Sequence, residues 1–140
     1  MIAPDSSIVV AALAPWHEAH EAARKALREA TPGLIAHVAF ETTAVLSRMP
    51  EGYRIAPGVV LEALRRGFAA RWLALDGTRT RRVLDAAVAA GLRGGALYDA
   101  LIAATAAHHR LQLLSADRRA RRTYEALNAD VRYVGAATTG

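Results

Sequence analysis

Four acidic side chains occur in or next to apolar segments, where a charged group is unfavourable. Asp5 and Asp117 each follow a short apolar stretch, in MIAPD and LQLLSAD, and Glu41 and Asp99 interrupt segments that are otherwise apolar. An unpaired charge is costly to bury in such segments. Carboxylates held close together repel one another unless a cation lies among them, and an all-oxygen set selects a hard cation such as Mg²⁺ or Mn²⁺. The four acids predict a metal site that can bind phosphate groups and activate water.

Each of these residues also has a simpler interpretation. Asp5 and Asp117 are suited to cap the helices that follow them, and Glu41 and Asp99 would complement the positive ends of their helix dipoles. Asp76, in LDGT, is typical of a turn residue. The metal site is favoured by the conjunction, because all four acids are expected at one edge of one sheet.

The elements that would position these acids alternate along the chain. Strands separated by helices indicate an α/β fold, in which a parallel sheet carries helices on both faces. Ligands of such folds bind beyond the carboxyl ends of the strands. The predicted strands are Ile2–Pro4, Leu34–His37, Trp72–Leu75, Leu111–Ser115 and Val131–Val134. The predicted helices are Ser6–Ala14, His17–Ala30, a segment ending near Met49, Val59–Ala70, Thr78–Leu92, a segment after Gly94 and Gly95, and Arg118–Asn128.

Composition narrows the class of protein. The 140 residues suit one domain, 1–140, and 53% of them are hydrophobic, so a sizeable core is expected. With no cysteine, the chain has neither a disulfide framework nor a thiolate metal site. No apolar stretch reaches the roughly 18 residues of a membrane span, and the N-terminus lacks the basic region of a signal peptide. We therefore expect a cytoplasmic protein with no membrane contact.

The chain is basic, with a formal net charge of +5, and 17 of its 18 basic residues are arginine. Basic charge favours nucleic acid as a partner, although a skew toward alanine and arginine is also produced by genome-wide coding bias. One cluster, DRRARR, follows Asp117 directly. It is either a solvated helix face or a set of contacts to a phosphate backbone, through Arg118, Arg119, Arg121 and Arg122.

Other chemistries lack their motifs. The sequence contains no GxSxG, GxxxxGK or GxGxxG, so nucleophile-elbow, Walker and dinucleotide sites have no support. His17 and His20 have the spacing of two zinc ligands but no evident third ligand. A receiver-like signalling domain also places acids at strand ends, but it needs a lysine near the end of a late strand. The single lysine here, Lys25, lies in an early helix.

Four blocks of the sequence resemble the PIN-domain ribonucleases, and within them the VapC toxins of bacterial type II toxin–antitoxin systems. The resemblance covers essentially the whole chain. Its blocks, in order, are IAPDSSIVVAALAPWHEAH, AHVAFETTAVLSRMPEGYRIAP, GGALYDALIAATAAHH and LLSADRRARRTYEALNADVRYV.

This resemblance implies a three-layer α/β/α sandwich and a Mg²⁺- or Mn²⁺-dependent endoribonuclease. Its targets would be structured RNAs such as transfer or ribosomal RNA, cut to leave a 5′-phosphate, with translation and growth inhibited as a result. Asp5, Glu41, Asp99 and Asp117 match the acidic quartet of the family. Asp5 and Asp99 would bind metal directly, and Glu41 and Asp117 through water or a second ion.

The resemblance further implies partners and auxiliary groups. Ser6 and Ser115 match hydroxyl positions near the metal, although SAD stands where the family frequently has Thr-x-Asp. A VapB-like antitoxin would block the acidic pocket, and Val59–Phe68 would offer a groove for its amphipathic helix. A homodimer is also expected. The alternatives are a housekeeping PIN ribonuclease without an antitoxin, a non-catalytic RNA-binding protein, and the receiver-like domain.

Overall fold

The computed structural model describes residues 1–69 and 71–135, in which strands and helices alternate as predicted. The strands are β1 (Ile2–Pro4), β2 (Leu34–Ile35), β3 (Trp72–Leu73), β4 (Gln112–Ser115) and β5 (Val131–Tyr133). The helices are α1 (Ser6–Leu13), α2 (His20–Arg28), α3 (Ala36–Ser47), α4 (Pro57–Gly67), α5 (Gly77–Ala89), α6 (Gly95–His108) and α7 (Arg121–Ala126), with a 3₁₀ turn at Arg118–Ala120.

The described strands pair in parallel and form two small sheets. The larger sheet has the order β1-β4-β5, and the smaller sheet joins β2 to β3. A parallel bridge between Ile2 and Pro32 connects β1 to the chain just before β2, so the strands follow one another in the order β3-β2-β1-β4-β5. The expected α/β fold with a central parallel sheet of five short strands is confirmed.

Helices cover both faces of this sheet. Successive side chains of a strand point to opposite faces, and the core divides accordingly. Ala3 and Leu113 pack in the larger apolar cluster, with residues of α3, α4 and α6. Ile2 and Leu114, their neighbours along β1 and β4, pack in a second cluster with residues of α1 and α2. The result is the three-layer α/β/α arrangement that the sequence predicted.

Several predicted boundaries were wrong by a few residues. His37 was assigned to the second strand but lies in α3, which begins at Ala36. The helix predicted over Val59–Ala70 begins at Pro57 and ends at Gly67, and Ala70 lies outside the described residues.

The last predicted helix is also divided. Arg118–Ala120 form a 3₁₀ turn before α7, and Asn128 has a φ of +57°, a left-handed conformation that a helix cannot continue through. The prediction of a single domain over 1–140 stays a prediction, since residues 136–140 lie outside the described part.

Within residues 1–69 and 71–135, no helix combines the length and the apolar character needed to cross a membrane.

Candidate active site

Asp5 lies at the junction of β1 and α1, where it caps the helix and is almost completely buried (2% exposed). Its Oδ1 accepts hydrogen bonds from the Ile8 backbone N–H (3.3 Å) and from the Ser7 hydroxyl. Its Oδ2 accepts one from the Tyr124 hydroxyl at 2.7 Å. Burial raises the pKa of the Asp5 carboxyl, and hydrogen bonds from nearby hydroxyls, with Ser115 first among them, offset part of that rise.

Two of these hydrogen-bond partners were not predicted. Ser7 also accepts the backbone N–H of Ala116 at 2.8 Å, and so joins the start of α1 to the end of β4. Tyr124 comes from α7, near the other end of the chain. The sequence carries no signal for Tyr124, because α7 is a short, arginine-rich helix in which only Thr123 and Tyr124 are buried. Only the assembled fold identifies Asp5 as its hydrogen-bond partner.

Asp99 is the fifth residue of α6 and Glu41 the sixth residue of α3, and neither lies in the first turn of its helix. The helix dipole acts mainly within the first turn, so it does not account for either carboxylate. Burial raises the pKa of Asp99 to about 6, and the negative charges of Glu41, Asp117 and Asp5 add to the rise. The four predicted acids are therefore close enough to repel one another.

Glu41 is surrounded by partners that the sequence did not reveal. The Ser6 hydroxyl donates to Glu41 Oε2 at 3.3 Å. His37 Nε2 lies 2.9 Å from Glu41 Oε1, but the two atoms are not aligned for a hydrogen bond, and both are buried without a partner. The His37 ring stacks on Tyr98 with its centroid 4.9 Å away. Glu41 thus keeps one buried oxygen that no donor satisfies.

Asp117 follows β4 and caps the 3₁₀ turn by accepting the Arg119 backbone N–H at 3.0 Å. Its own backbone N–H donates to the hydroxyl of Ser115, at 3.0 Å, and Ser115 is fully buried. Both the capping interpretation and the predicted position beside the other acids hold for Asp117.

The arginines of the DRRARR cluster differ in their surroundings. Arg119 contacts Asp117 at 3.4 Å and Arg121 pairs with Glu125 at 2.9 Å. Arg118 lies over the ring of Tyr133 and donates to the Gly135 carbonyl. All these guanidinium groups are exposed, as is Arg122. Exposed ion pairs contribute little free energy, so these arginines could leave their carboxylate partners and bind phosphate at little cost.

The donor set suits a hard cation. In the part of the chain that the structure describes, no three carboxylate or imidazole side chains already converge closely enough to hold a metal ion. Two observations nevertheless fit one. Glu41 Oε1 is buried and unsatisfied, and the charge on Asp99 is opposed by three neighbouring carboxylates. A divalent cation among these oxygens would relieve both, and Mg²⁺ or Mn²⁺ prefers such ligands.

Comparisons with known proteins identify the family of the chain. The sequence profile of the PIN domain matches residues 2–126. Ribonuclease VapC40 of Mycobacterium tuberculosis is 46% identical over 134 residues, which span 96% of this chain and 99% of that protein. Ribonuclease VapC27 of the same species is 39% identical, over 93% of this chain and 94% of that protein.

A solved structure shares the fold. The crystal structure of FitAcB from Neisseria gonorrhoeae superposes with a TM-score of 0.68 at 23% identity, over 94% of this chain and 96% of that chain. At that identity the likeness concerns the fold alone. The profile match and the two curated relatives, by contrast, cover nearly the whole sequence, and the chain belongs to the PIN-domain family, among the VapC ribonucleases.

Proposed function

We propose that this chain is a Mg²⁺- or Mn²⁺-dependent endoribonuclease that acts as the toxin of a type II toxin–antitoxin system. Its identity of 46% to a ribonuclease, over 96% of its length, supports action on RNA. The observation that supports a metal site is the grouping of the acids, since Glu41, Asp117 and Asp5 lie close enough to Asp99 for their charges, added to burial, to raise its pKa to about 6. Acids that repel one another in this way are a site for a cation.

Asp5 and Asp99 would hold the cation directly, and Glu41 and Asp117 through water or beside a second ion. When bound, the ion supplies Lewis-acid polarisation of the phosphodiester and lowers the pKa of water. The protein supplies orientation, since hydrogen bonds from α1 and α7 fix the Asp5 carboxylate before any ligand arrives. Glu41 would accept the proton of the water that attacks phosphorus.

The substrate we propose is structured RNA, such as transfer or ribosomal RNA, whose cleavage would stop translation. Single-stranded loops of such RNAs expose their backbones and bases to proteins. Arg118, Arg119, Arg121 and Arg122 are exposed beside Asp117 and would contact the phosphates. Binding that does not weaken with rising salt would contradict this role. Because these RNAs are cytoplasmic, we place the protein in the cytoplasm.

An antitoxin would bind the apolar groove between α3 and α4. Phe40 is 77% exposed there, and Leu61 and Trp72 are exposed beside it. An amphipathic helix buries its apolar face in such a groove, which supports a VapB-like partner. Co-expression with the product of an adjacent small gene tests this: we expect a stable complex without nuclease activity, and full activity in the presence of that product would contradict it.

Homodimerisation is supported by a second apolar surface, between α5 and α6. Leu84 and Val88 of α5 are exposed, although α5 packs against α6. Exposed apolar patches of this kind mark interaction sites. Sedimentation velocity on the purified chain measures the outcome, and a monomer at micromolar concentration would contradict the dimer.

RNA cleavage with defined cations tests the central proposal. Wild-type protein should cut RNA with Mg²⁺ or Mn²⁺ and stop when EDTA is added, and Asp5→Ala and Asp99→Asn should be inactive. Asp85→Asn is the matched control, because Asp85 is exposed on α5 and takes no part in the acidic site. Full activity in EDTA, or in both site variants, rules out the metal-dependent nuclease. RNA binding without cleavage by the wild type would indicate the non-catalytic alternative.

A further inference from the structure

Tyr124 makes a buried contact with the candidate site that its position in the sequence does not suggest. Its hydroxyl lies 2.7 Å from Asp5 Oδ2, although the two residues are 119 positions apart. Tyr124 is 1% exposed and Asp5 is 2% exposed. Water therefore does not compete for this hydrogen bond, and a hydrogen bond to a charged group is stronger than one between neutral groups.

The direction of this hydrogen bond is fixed by chemistry. A carboxylate only accepts hydrogen bonds, whereas a phenol can donate one. A phenol keeps its proton at neutral pH, since its ordinary pKa is about 10. Tyr124 is therefore a permanent donor to Asp5 Oδ2.

The hydrogen bonds to Asp5 differ between its two carboxylate oxygens. A carboxylate has about four lone-pair positions, two on each oxygen. The Ile8 N–H and the Ser7 hydroxyl occupy both positions on Asp5 Oδ1, and Tyr124 occupies one on Oδ2. Tyr124 is therefore the donor that orients Oδ2, the oxygen that Ile8 and Ser7 do not contact.

We propose that Tyr124 is a positioning residue for phosphodiester hydrolysis, which holds Oδ2 of the Asp5 carboxylate in the orientation at which it meets the divalent cation. This inference rests on the proposed function. Tyr124 touches neither the substrate nor the cation, and acts only through Asp5. Hydrogen-bond partners of metal-binding carboxylates typically contribute about 10- to 100-fold to metal affinity.

Tyr124→Phe is the informative variant, because it removes the hydroxyl and keeps the ring that packs in the larger apolar cluster. Tyr133→Phe is the matched control. It removes a hydroxyl that is also buried but has no hydrogen-bond partner within the described residues, and it keeps the ring beneath Arg118. Mn²⁺ affinity is measured by titration calorimetry without RNA, and kcat and KM for RNA cleavage are measured separately.

We expect Tyr124→Phe to bind Mn²⁺ about 10-fold more weakly or worse, to lose kcat at limiting Mn²⁺, and to keep the wild-type KM for RNA. Tyr133→Phe should keep the wild-type Mn²⁺ affinity. Wild-type Mn²⁺ affinity in a folded Tyr124→Phe protein overturns the proposal, as does an equal loss in both variants. If Tyr124→Phe does not fold, Tyr124→Met replaces it, because methionine also lacks the hydroxyl and its flexible side chain adapts to the space of the ring. Unchanged Mn²⁺ affinity in a folded Tyr124→Met protein overturns the proposal.

Failure of the proposed function gives a different result. A wild-type protein that binds Mn²⁺ but does not cut RNA overturns the nuclease, and the calorimetric comparison of Tyr124→Phe with Tyr133→Phe still decides the role of Tyr124. A wild-type protein that does not bind Mn²⁺ overturns both.

Discussion

The surroundings of Asp5 and those of Asp99 are opposite solutions to the same problem of placing a carboxylate in a folded interior. Asp5 is buried and accepts hydrogen bonds from Ser7, Ile8 and Tyr124. Asp99 is half-buried, and within the described residues its carboxylate accepts no hydrogen bond that meets ordinary geometry, while Glu41 repels it. The fold satisfies one acid completely and leaves the other without compensation.

This difference teaches which part of the site the fold supplies and which part a ligand must supply. The three donors to Asp5 stabilise its charged form and fix its orientation in the absence of any cation. Asp99 has a fixed position on α6, but the free energy of its charge is lowered only when positive charge arrives. The site is therefore rigid on the side of Asp5 and electrostatically strained on the side of Asp99.

The largest expected effect is on RNA cleavage, from a substitution at Asp99. Asp99→Asn keeps the shape of the side chain but removes the charge, so it should lower kcat/KM for RNA cleavage by about 10³-fold, as expected when several kcal/mol of cation-assisted stabilisation are lost. Steady-state cleavage assays with excess Mn²⁺ measure this. A loss of less than tenfold would show that Asp99 is not needed for the cation.

A smaller effect is a difference in folding stability between a variant at Asp5 and a variant at Asp99. Asp5→Ala leaves buried donors on Ser7, Ile8 and Tyr124 without their acceptor, and each such group costs about 1–3 kcal/mol. Asp99→Ala removes a repelled charge and leaves no donor unpaired. Urea unfolding in EDTA should therefore show a clear loss for Asp5→Ala and little or none for Asp99→Ala. Equal losses in the two variants would contradict the contrast.

The smallest effect is a pH dependence that belongs to Asp99. Its pKa is about 6 in the folded protein, against an ordinary value of 3.8 that applies to the unfolded chain, so the folded state binds the proton more tightly. The stability of the metal-free wild type should fall as the pH rises through that window. Asp99→Asn should then be more stable than wild type at neutral pH, and should lose this advantage near pH 3.8. Urea midpoints that differ equally at both pH values would contradict the shift.

The sequence predicted the fold, and it singled out the four acids, because both leave local signals. A carboxylate in an apolar helix, such as Asp99, is conspicuous without any structure. Ser7 was missed, since choosing between Ser6 and Ser7 requires the orientation of α1 relative to Asp5. His37 was assigned to a strand because β2 is only two residues long, and Tyr124 was missed because its partner lies at the opposite end of the chain. Partners of this kind depend on tertiary packing, which no local pattern encodes.

The hydrogen bond from Tyr124 to Asp5 also determines when, during synthesis of the chain, the site can form. Asp5 leaves the ribosome among the first residues, but β4 and α7, which complete its surroundings, are made after residue 110. A nascent chain that ends before Tyr124 cannot assemble the finished site. The proposed nuclease would therefore stay inactive until the chain has been made at least as far as Tyr124.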